Sequence, residues 1–302
     1  MDGKSELNLK NKSYLKALDA FVWKAYELDI EDGDLTSESF LGKNDPEVTA
    51  VITAKEEGIL AGIQEAKWFL NKIGIKIMKA KKDGDQVKKG EPILNLKGKG
   101  KSILKAERTL LNLLQRLSGI ATKTKKLATK LPAKTTLLAT RKTLWGALDK
   151  RAVTLGGGGT HRLSLSDAIL IKENHIALSL NFKKNLESAF KKSPKVRFIE
   201  IELEAEVQVR EFLKLYKDLK KDLPLEKDKI VVMLDDFKPR EIKKVIPFLK
   251  KAGLTVEVSG GINEKTISRY FIKGVDAFSS GAITMAAKHL DLSLKIEKIT
   301  HL

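Results

Sequence analysis

Apolar residues change their spacing along the chain, and the change falls near residue 134. Before it, helical and strand-like stretches are mixed. Tyr14, Leu15, Leu18, Phe21, Val22 and Tyr26 recur at helical spacing, and Asp32-Gly33-Asp34 then breaks the pattern. Val48–Ala54 alternates as a half-buried strand does, and Ile63–Ile73 reads as a helix ending before Gly74. A long helix is predicted from Ser102 to about Lys130, with Leu110, Leu113, Leu114, Leu117 and Ile120 along one stripe. The segment from Gly84 to Ile93 has the turn spacing of a biotinyl or lipoyl carrier hairpin. No attachment-lysine tip follows it, so Gly84 and Gly90 are read as turn glycines.

Beyond residue 134 the pattern becomes regular. Strand-like runs are Thr135–Ala139, Ala168–Ile171, Arg197–Leu203, Ile230–Leu234, Thr255–Val258 and Val275–Phe278. Helical segments are predicted over Phe182–Phe190, Glu206–Leu219, Pro239–Lys251 and Glu264–Ile272. Alternating strands and helices with short connections predict parallel strands with helices outside, in a β/α barrel that is open or short by a strand.

Chemistry in such a barrel gathers at the C-terminal ends of the strands. Read to their ends, the six runs give Thr140-Arg141-Lys142, then Lys172, then Glu200 and Glu202, then Asp235 and Asp236, then Ser259-Gly260-Gly261, then Ser279-Ser280-Gly281-Ala282. Cations come first, carboxylates next, glycine turns last. The two glycine turns, each leading toward a helix, suit a phosphate monoester held by backbone N–H groups. Gly156–Gly159 followed by Thr160, His161 and Arg162 reads as a binding loop, and with Arg141 and Lys172 it makes a cationic pocket for a ligand with more than one carboxylate. Lys142, Lys172, Glu202 and Asp235 form a second group, suited to sugar hydroxyls, Mg2+ or one another. His175 is read as structural.

Composition narrows the classes. The 302 residues include no cysteine, which excludes a disulfide scaffold, a thiolate nucleophile and a Cys-bound metal. Lysine and arginine number 57 against 39 acidic residues, a net charge of +18. The lysines are scattered rather than clustered with aromatics, which argues against a nucleic-acid-binding protein while still favouring anionic small molecules. No apolar run is long enough for a membrane span and no signal-peptide pattern is present, so a cytoplasmic location is expected.

Taken in order, these motifs resemble the quinolinate phosphoribosyltransferases. The similarity starts at Glu31–Ser37 and continues through Glu107–Asn112 and Gln115–Thr122. It takes in Thr140–Thr143, the glycine run with His161-Arg162, Leu170–His175, Glu200–Glu202, Met233–Asp235, Ser259–Ile262 and Gly281–Thr284. The resemblance implies a type II phosphoribosyltransferase fold: an N-terminal α/β sandwich over residues 1–122 and an incomplete α/β barrel over 123–302. It also implies a homodimer in which Arg108 reaches the partner's site. It implies that Arg141, His161, Arg162 and Lys172 bind quinolinate. Glu202 and Asp235 would serve the ribose and the Mg2+ of phosphoribosyl pyrophosphate, Lys142 would be a further catalytic contact, and Ser259, Gly260, Gly261, Ser280, Gly281 and Ala282 would hold the 5′-phosphate. No organic cofactor is implied.

The chain departs from the family pattern at Leu144-Trp145-Gly146, at Thr160 and at Asp236, and the stretch from Thr143 to the glycine run is about two residues short. Those departures bear on which acceptor ring is taken. The nearest alternative is a same-fold paralogue linked to molybdenum transport, against which the retained His161, Arg162 and Lys172 argue.

Overall fold

The computed structural model describes residues 3–223, 226 and 229–300. Its strands, in chain order, are β1 (Glu47–Ala54), β2 (Gly58–Ile59), β3 (Lys76–Ala80), β4 (Gln86–Val87), β5 (Pro92–Lys99), β6 (Thr136–Leu138), β7 (Ile169–Ile171), β8 (Ile199–Leu203), β9 (Ile230–Asp235), β10 (Thr255–Ser259), β11 (Ala277–Ser279) and β12 (Leu292–Thr300). They divide between two compact units that the chain visits in turn. One gathers Lys4–Lys126, Thr143–Gly157 and the chain from Thr284 onward; the other gathers Leu127–Lys142 and Gly158–Ile283, with Gly3.

The first unit is built on an antiparallel sheet in the order β12-β1-β5-β3. β1 alternates buried and half-buried residues because one face of the pleat meets the core. Tyr14, Leu18, Val22 and Tyr26 are buried at intervals of four residues. That interval outruns a 3.6-residue turn, and a π-helical turn over Asp19–Trp23 between two α-helical segments keeps the four on one face. The predicted long helix spans Gly100–Ala128, and its Leu110, Leu113, Leu114, Leu117 and Ile120 are buried. Gly84 and Gly90 take positive φ, as turn residues do, and the short β4 between them pairs with β2. The stretch Thr143–Gly157 carries a helix, Ala147–Leu155. It is fixed by buried Asp149, which accepts the Nε and a terminal N–H of Arg116 at 2.9 and 2.7 Å and the backbone N–H groups of Leu144 and Trp145.

The second unit contains the six-stranded parallel sheet, in the order β6-β11-β10-β9-β8-β7. All six predicted strands are present. Each neighbours its successor except at one seam: β6 pairs with β11, and among the described residues β7 pairs only with β8. At that seam Gly159 bridges to Leu138 as a parallel strand would, its N–H donating to the Leu137 carbonyl and its own carbonyl accepting from Ala139. The glycine run thus extends the edge of an incomplete barrel. Helices Phe182–Phe190, Glu206–Asp222 and Pro239–Lys251 lie where periodicity predicts them. The last has proline in its first turn and buries Ile242, Val245, Ile246 and Leu249 along one stripe.

One predicted helix does not form. Glu264–Ile272 contains only a four-residue 3₁₀ turn, Ile267–Tyr270. The side-chain amide of Asn263 and the hydroxyl of Thr266 both donate to the Gly261 carbonyl, at 2.9 and 2.8 Å. These local bonds offer the backbone an alternative to helix. The first glycine turn therefore does not lead into a helix of any length, and the second leads into the short Ala282–Met285.

Candidate active site

Along each barrel strand, residues two apart face the interior. At the C-terminal ends, this places Thr140, Arg141, Lys142, Leu170, Lys172, Glu202, Met233, Asp235, Ser259 and Ser279 around one cavity of about 280 Å³, together with His161 and Arg162 from the seam loop. Eight of the residues given a binding or catalytic role from the sequence thus meet at one site: Arg141, Lys142, His161, Arg162, Lys172, Glu202, Asp235 and Ser259.

The cationic wall is strained electrostatically. Arg162 is buried, and burial together with the neighbouring Arg141 guanidinium pushes its pKa below the ordinary arginine value, with Glu200, Glu202 and Asp167 pulling the other way. Two guanidiniums held this close in a partly dry cavity attract an anion with two oxygens to offer. Lys172, at the end of β7, donates to Glu202 Oε2 at 2.8 Å. The Lys172 N–H donates to His175 Nδ1 at 3.1 Å, so His175 closes the first turn of the short helix Glu173–Ala177.

The carboxylate wall comes from adjacent strands β8 and β9. Burial raises the pKa of Glu202, Lys172 opposes that rise, and the Asp235 charge adds to it. Two carboxylates that repel one another beside a cavity form an all-oxygen set suited to a hard cation such as Mg2+. Oxygens of Glu173 and Glu204 also come within 4.8 Å of Glu202. By donor chemistry Glu202 and Asp235 suit that ion, while the close oxygen cluster is Glu173, Glu202 and Glu204 and does not include Asp235.

Of the two glycine turns only Ser259 and Ser279 line that cavity, and the glycines beyond them are set by steric constraints. Gly260 and Gly261 have φ of 87° and 59°, and a β-carbon on Gly260 would lie 2.6 Å from the Asp236 backbone nitrogen. A β-carbon on Gly281 would press on the Lys142 side chain, which therefore lies across this turn. Ser280 is buried, and its hydroxyl donates to the Ile262 carbonyl at 2.5 Å, tying the two glycine turns together. Ala282 begins the short helix after the second turn. Arg108 belongs to the other unit, on its long helix, where it lines a small cavity with Phe21, Asp29, Asn112 and Trp145.

His161 lines the cavity, and its side chain is buried. Nε2 lies 2.7 Å from Glu200 Oε2 and 3.6 Å from Glu257 Oε2, and Nδ1 accepts the Arg162 backbone N–H at 2.7 Å. Glu200 and Glu257 are wholly buried; burial above all pushes each carboxyl up to about 8. Glu257 is absent from the residues singled out from the sequence. Its signal is its spacing: it stands two before Ser259, on the same face of the strand.

Comparison with known proteins agrees with this geometry. The sequence profile of the quinolinate phosphoribosyl transferase C-terminal domain matches residues 120–295, and that of the N-terminal domain matches residues 34–118. A probable nicotinate-nucleotide pyrophosphorylase (carboxylating) of Archaeoglobus fulgidus is 38% identical over 260 residues, which is 83% of this chain and 95% of that one. Quinolinate phosphoribosyltransferase (decarboxylating) 1b of Nicotiana tabacum is 36% identical over 276 residues, 88% of this chain and 78% of its own. The solved nicotinate-nucleotide pyrophosphorylase from Francisella tularensis superposes with a TM-score of 0.80 at 35% identity, over 93% of this chain and 96% of that one. Among the described residues no helix is long and apolar enough to cross a membrane. With both domains matched in order over most of its length, the chain belongs to the quinolinate phosphoribosyltransferase family.

Proposed function

We propose that the protein transfers the phosphoribosyl group of phosphoribosyl pyrophosphate to quinolinate and releases CO2, giving nicotinate mononucleotide and pyrophosphate. The observation that carries this reading is that the Arg141 and Arg162 guanidiniums and the Glu202 and Asp235 carboxylates line one cavity. The first pair suits a dicarboxylate and the second an electron-poor sugar.

In this reading Arg141 and Arg162 grip the ring carboxylates, joined by Lys172 as it exchanges Glu202 for substrate. That grip holds the ring nitrogen against the anomeric carbon, which supplies the positioning part of the rate. The bond to pyrophosphate breaks ahead of full bonding from the nitrogen, and Glu202 and Asp235 stabilise the cation-like ribose in that interval. Lys142 lies over the Gly281 turn and attracts the phosphate oxygens. The 2-carboxylate then leaves as CO2, its electron pair passing to the pyridinium ring carbon, which takes a proton from solvent. No organic cofactor enters this balance. Mg2+, held by Glu202 and Asp235, would supply charge neutralisation for the departing pyrophosphate. A homodimer, with Arg108 of a second copy completing each site, is part of the same proposal, as is a cytoplasmic location.

The experiment is a turnover assay with Mg2+ and phosphoribosyl pyrophosphate, offering quinolinate and nicotinate separately and weighing the products. Nicotinate mononucleotide from quinolinate alone is expected. Product from nicotinate with none from quinolinate overturns the substrate, and makes Leu144, Trp145, Thr160 and Asp236 the residues to examine for another acceptor.

A further inference from the structure

Beneath the cavity floor lie two carboxyls that no step above uses. Glu200 on β8 and Glu257 on β10 are both fully buried, and an oxygen of each lies within 4.8 Å of the other and of the His161 ring. Burying an acidic pair inside a barrel is costly, and an apolar pair of similar volume is often at least as stable. The backbone above them is costly too: His161 has φ of 52°, in the left-handed region that side chains with a β-carbon rarely occupy.

The hydrogen bonds around His161 set its tautomer. Because Nδ1 accepts the Arg162 N–H, that nitrogen carries no proton, and in a neutral ring the proton sits on Nε2, facing Glu200. This argues against reading the trio as a metal site, since a protonated Nε2 has no lone pair for an ion. The His161 carbonyl is held from the other side, accepting from an Arg197 terminal N–H at 3.0 Å and from the Thr160 hydroxyl at 2.8 Å. The ring, its strained backbone and the start of Arg162 therefore form one piece, with Nε2 lying 2.7 Å from Glu200 Oε2 and 3.6 Å from Glu257 Oε2.

We infer that Glu200, backed by Glu257, is a positioning residue for the acceptor site: it takes the His161 Nε2–H and so aims Arg162 into the cavity. The inference rests on the proposed acceptor reading for its kinetic consequence, but the tautomer it requires does not depend on any substrate. A chain of contacts from Glu257 through Glu200 and the imidazole to the Arg162 backbone links the barrel interior to the guanidinium that meets the ligand. Glutamine at 200 still offers an oxygen to Nε2–H; leucine of similar volume does not.

The test has two arms. Nitrogen-15 correlation spectra of the histidine rings report the tautomer without substrate, and only four histidines need assigning. His161 is expected as the Nε2–H form in the wild type and in Glu200→Gln, with that signature lost in Glu200→Leu. A wild-type ring protonated on Nδ1, or on both nitrogens, overturns the inference whatever the enzyme turns over. Kinetically, Glu200→Leu is expected to raise KM for quinolinate by about 30-fold, as misaimed binding groups do. Its KM for phosphoribosyl pyrophosphate should hold within about threefold, and its unfolding temperature should not fall. Glu200→Gln should stay within about threefold of wild type in both constants. An unchanged quinolinate KM in Glu200→Leu, or equal losses for both substrates with a lower unfolding temperature, overturns the positioning role. If Glu200→Leu does not fold, the tautomer in the wild type and Glu200→Gln still decides. Absence of wild-type quinolinate turnover alongside the Nε2–H tautomer would reject the acceptor reading and leave the hydrogen-bond assignment standing.

Discussion

Replacing Arg162 by alanine removes one arm of the dicarboxylate grip, and its size follows from the site. Arg162 is 7% exposed and stands beside Arg141, so a bound carboxylate meets it largely out of water. A guanidinium fork makes two charge-assisted bonds, each worth about 1.5–3 kcal/mol. Against their sum stands the repulsion from Arg141 that the substitution relieves, so a net loss of about 2–5 kcal/mol is expected. That range corresponds to a fall of about 30- to 5,000-fold in kcat/KM for quinolinate. Arg162→Lys keeps the charge but loses the fork, and about a tenfold fall is expected. The assay is initial velocity against quinolinate at saturating phosphoribosyl pyrophosphate, then the reverse, with thermal unfolding alongside. The loss should fall on quinolinate and spare the KM of the other substrate. A kcat/KM for quinolinate within about threefold of wild type in a folded Arg162→Ala protein would refute the assigned role.

Asp235→Asn keeps the shape of the carboxylate wall and removes its charge. It should lower kcat by on the order of 100-fold at saturating Mg2+, and wild-type turnover would leave Asp235 a structural part. Gly260→Ala must distort a backbone with φ of 87° and a 2.6 Å approach to Asp236, so it should lower stability by at least ~2 kcal/mol in urea unfolding; an unchanged midpoint would refute the steric reading. Glu257 titrates in the fold at about 8 instead of near 4.5, so the stability it allows is fully present below pH 4.5 and is lost as pH rises through 8. Glu257→Gln should therefore gain on the wild type by up to ~1.4 kcal/mol per pH unit across that window, measured by denaturant unfolding at several pH values; parallel curves would contradict it.

The barrel was legible because parallel strands buried on both faces read as short apolar runs, and the helices between them keep their 3.6-residue stripe. Thr255–Val258 and Ile230–Leu234 are such runs, and the chemistry follows at their ends in Ser259 and Asp235. Strand β12 was not legible. Leu292, Leu294 and Ile296 alternate, but alternation does not name a partner, and β1 lies some 245 residues earlier in the register Ala54↔Leu292 through Glu47↔Thr300. The helix expected over Glu264–Ile272 gave way to Asn263 and Thr266, whose side chains bond a carbonyl that apolar periodicity does not register. His161 was found through its glycine loop, but its orientation was not, because that depends on Glu200 and Glu257 arriving from two other strands.

Both sheets are closed by late segments of the chain, and this has a consequence for how the protein is made. β6 stays without a hydrogen-bonded neighbour on one side until β11 has left the ribosome, and β1 lacks one until β12 does. Contacts this distant in sequence carry a large loop-closure cost and form late. During synthesis, the chain therefore spends most of its time with two unpaired strand edges, β1 and β6, exposed to other chains. Growth temperature and expression rate should consequently govern its yield of soluble protein more than the stability of the finished fold does.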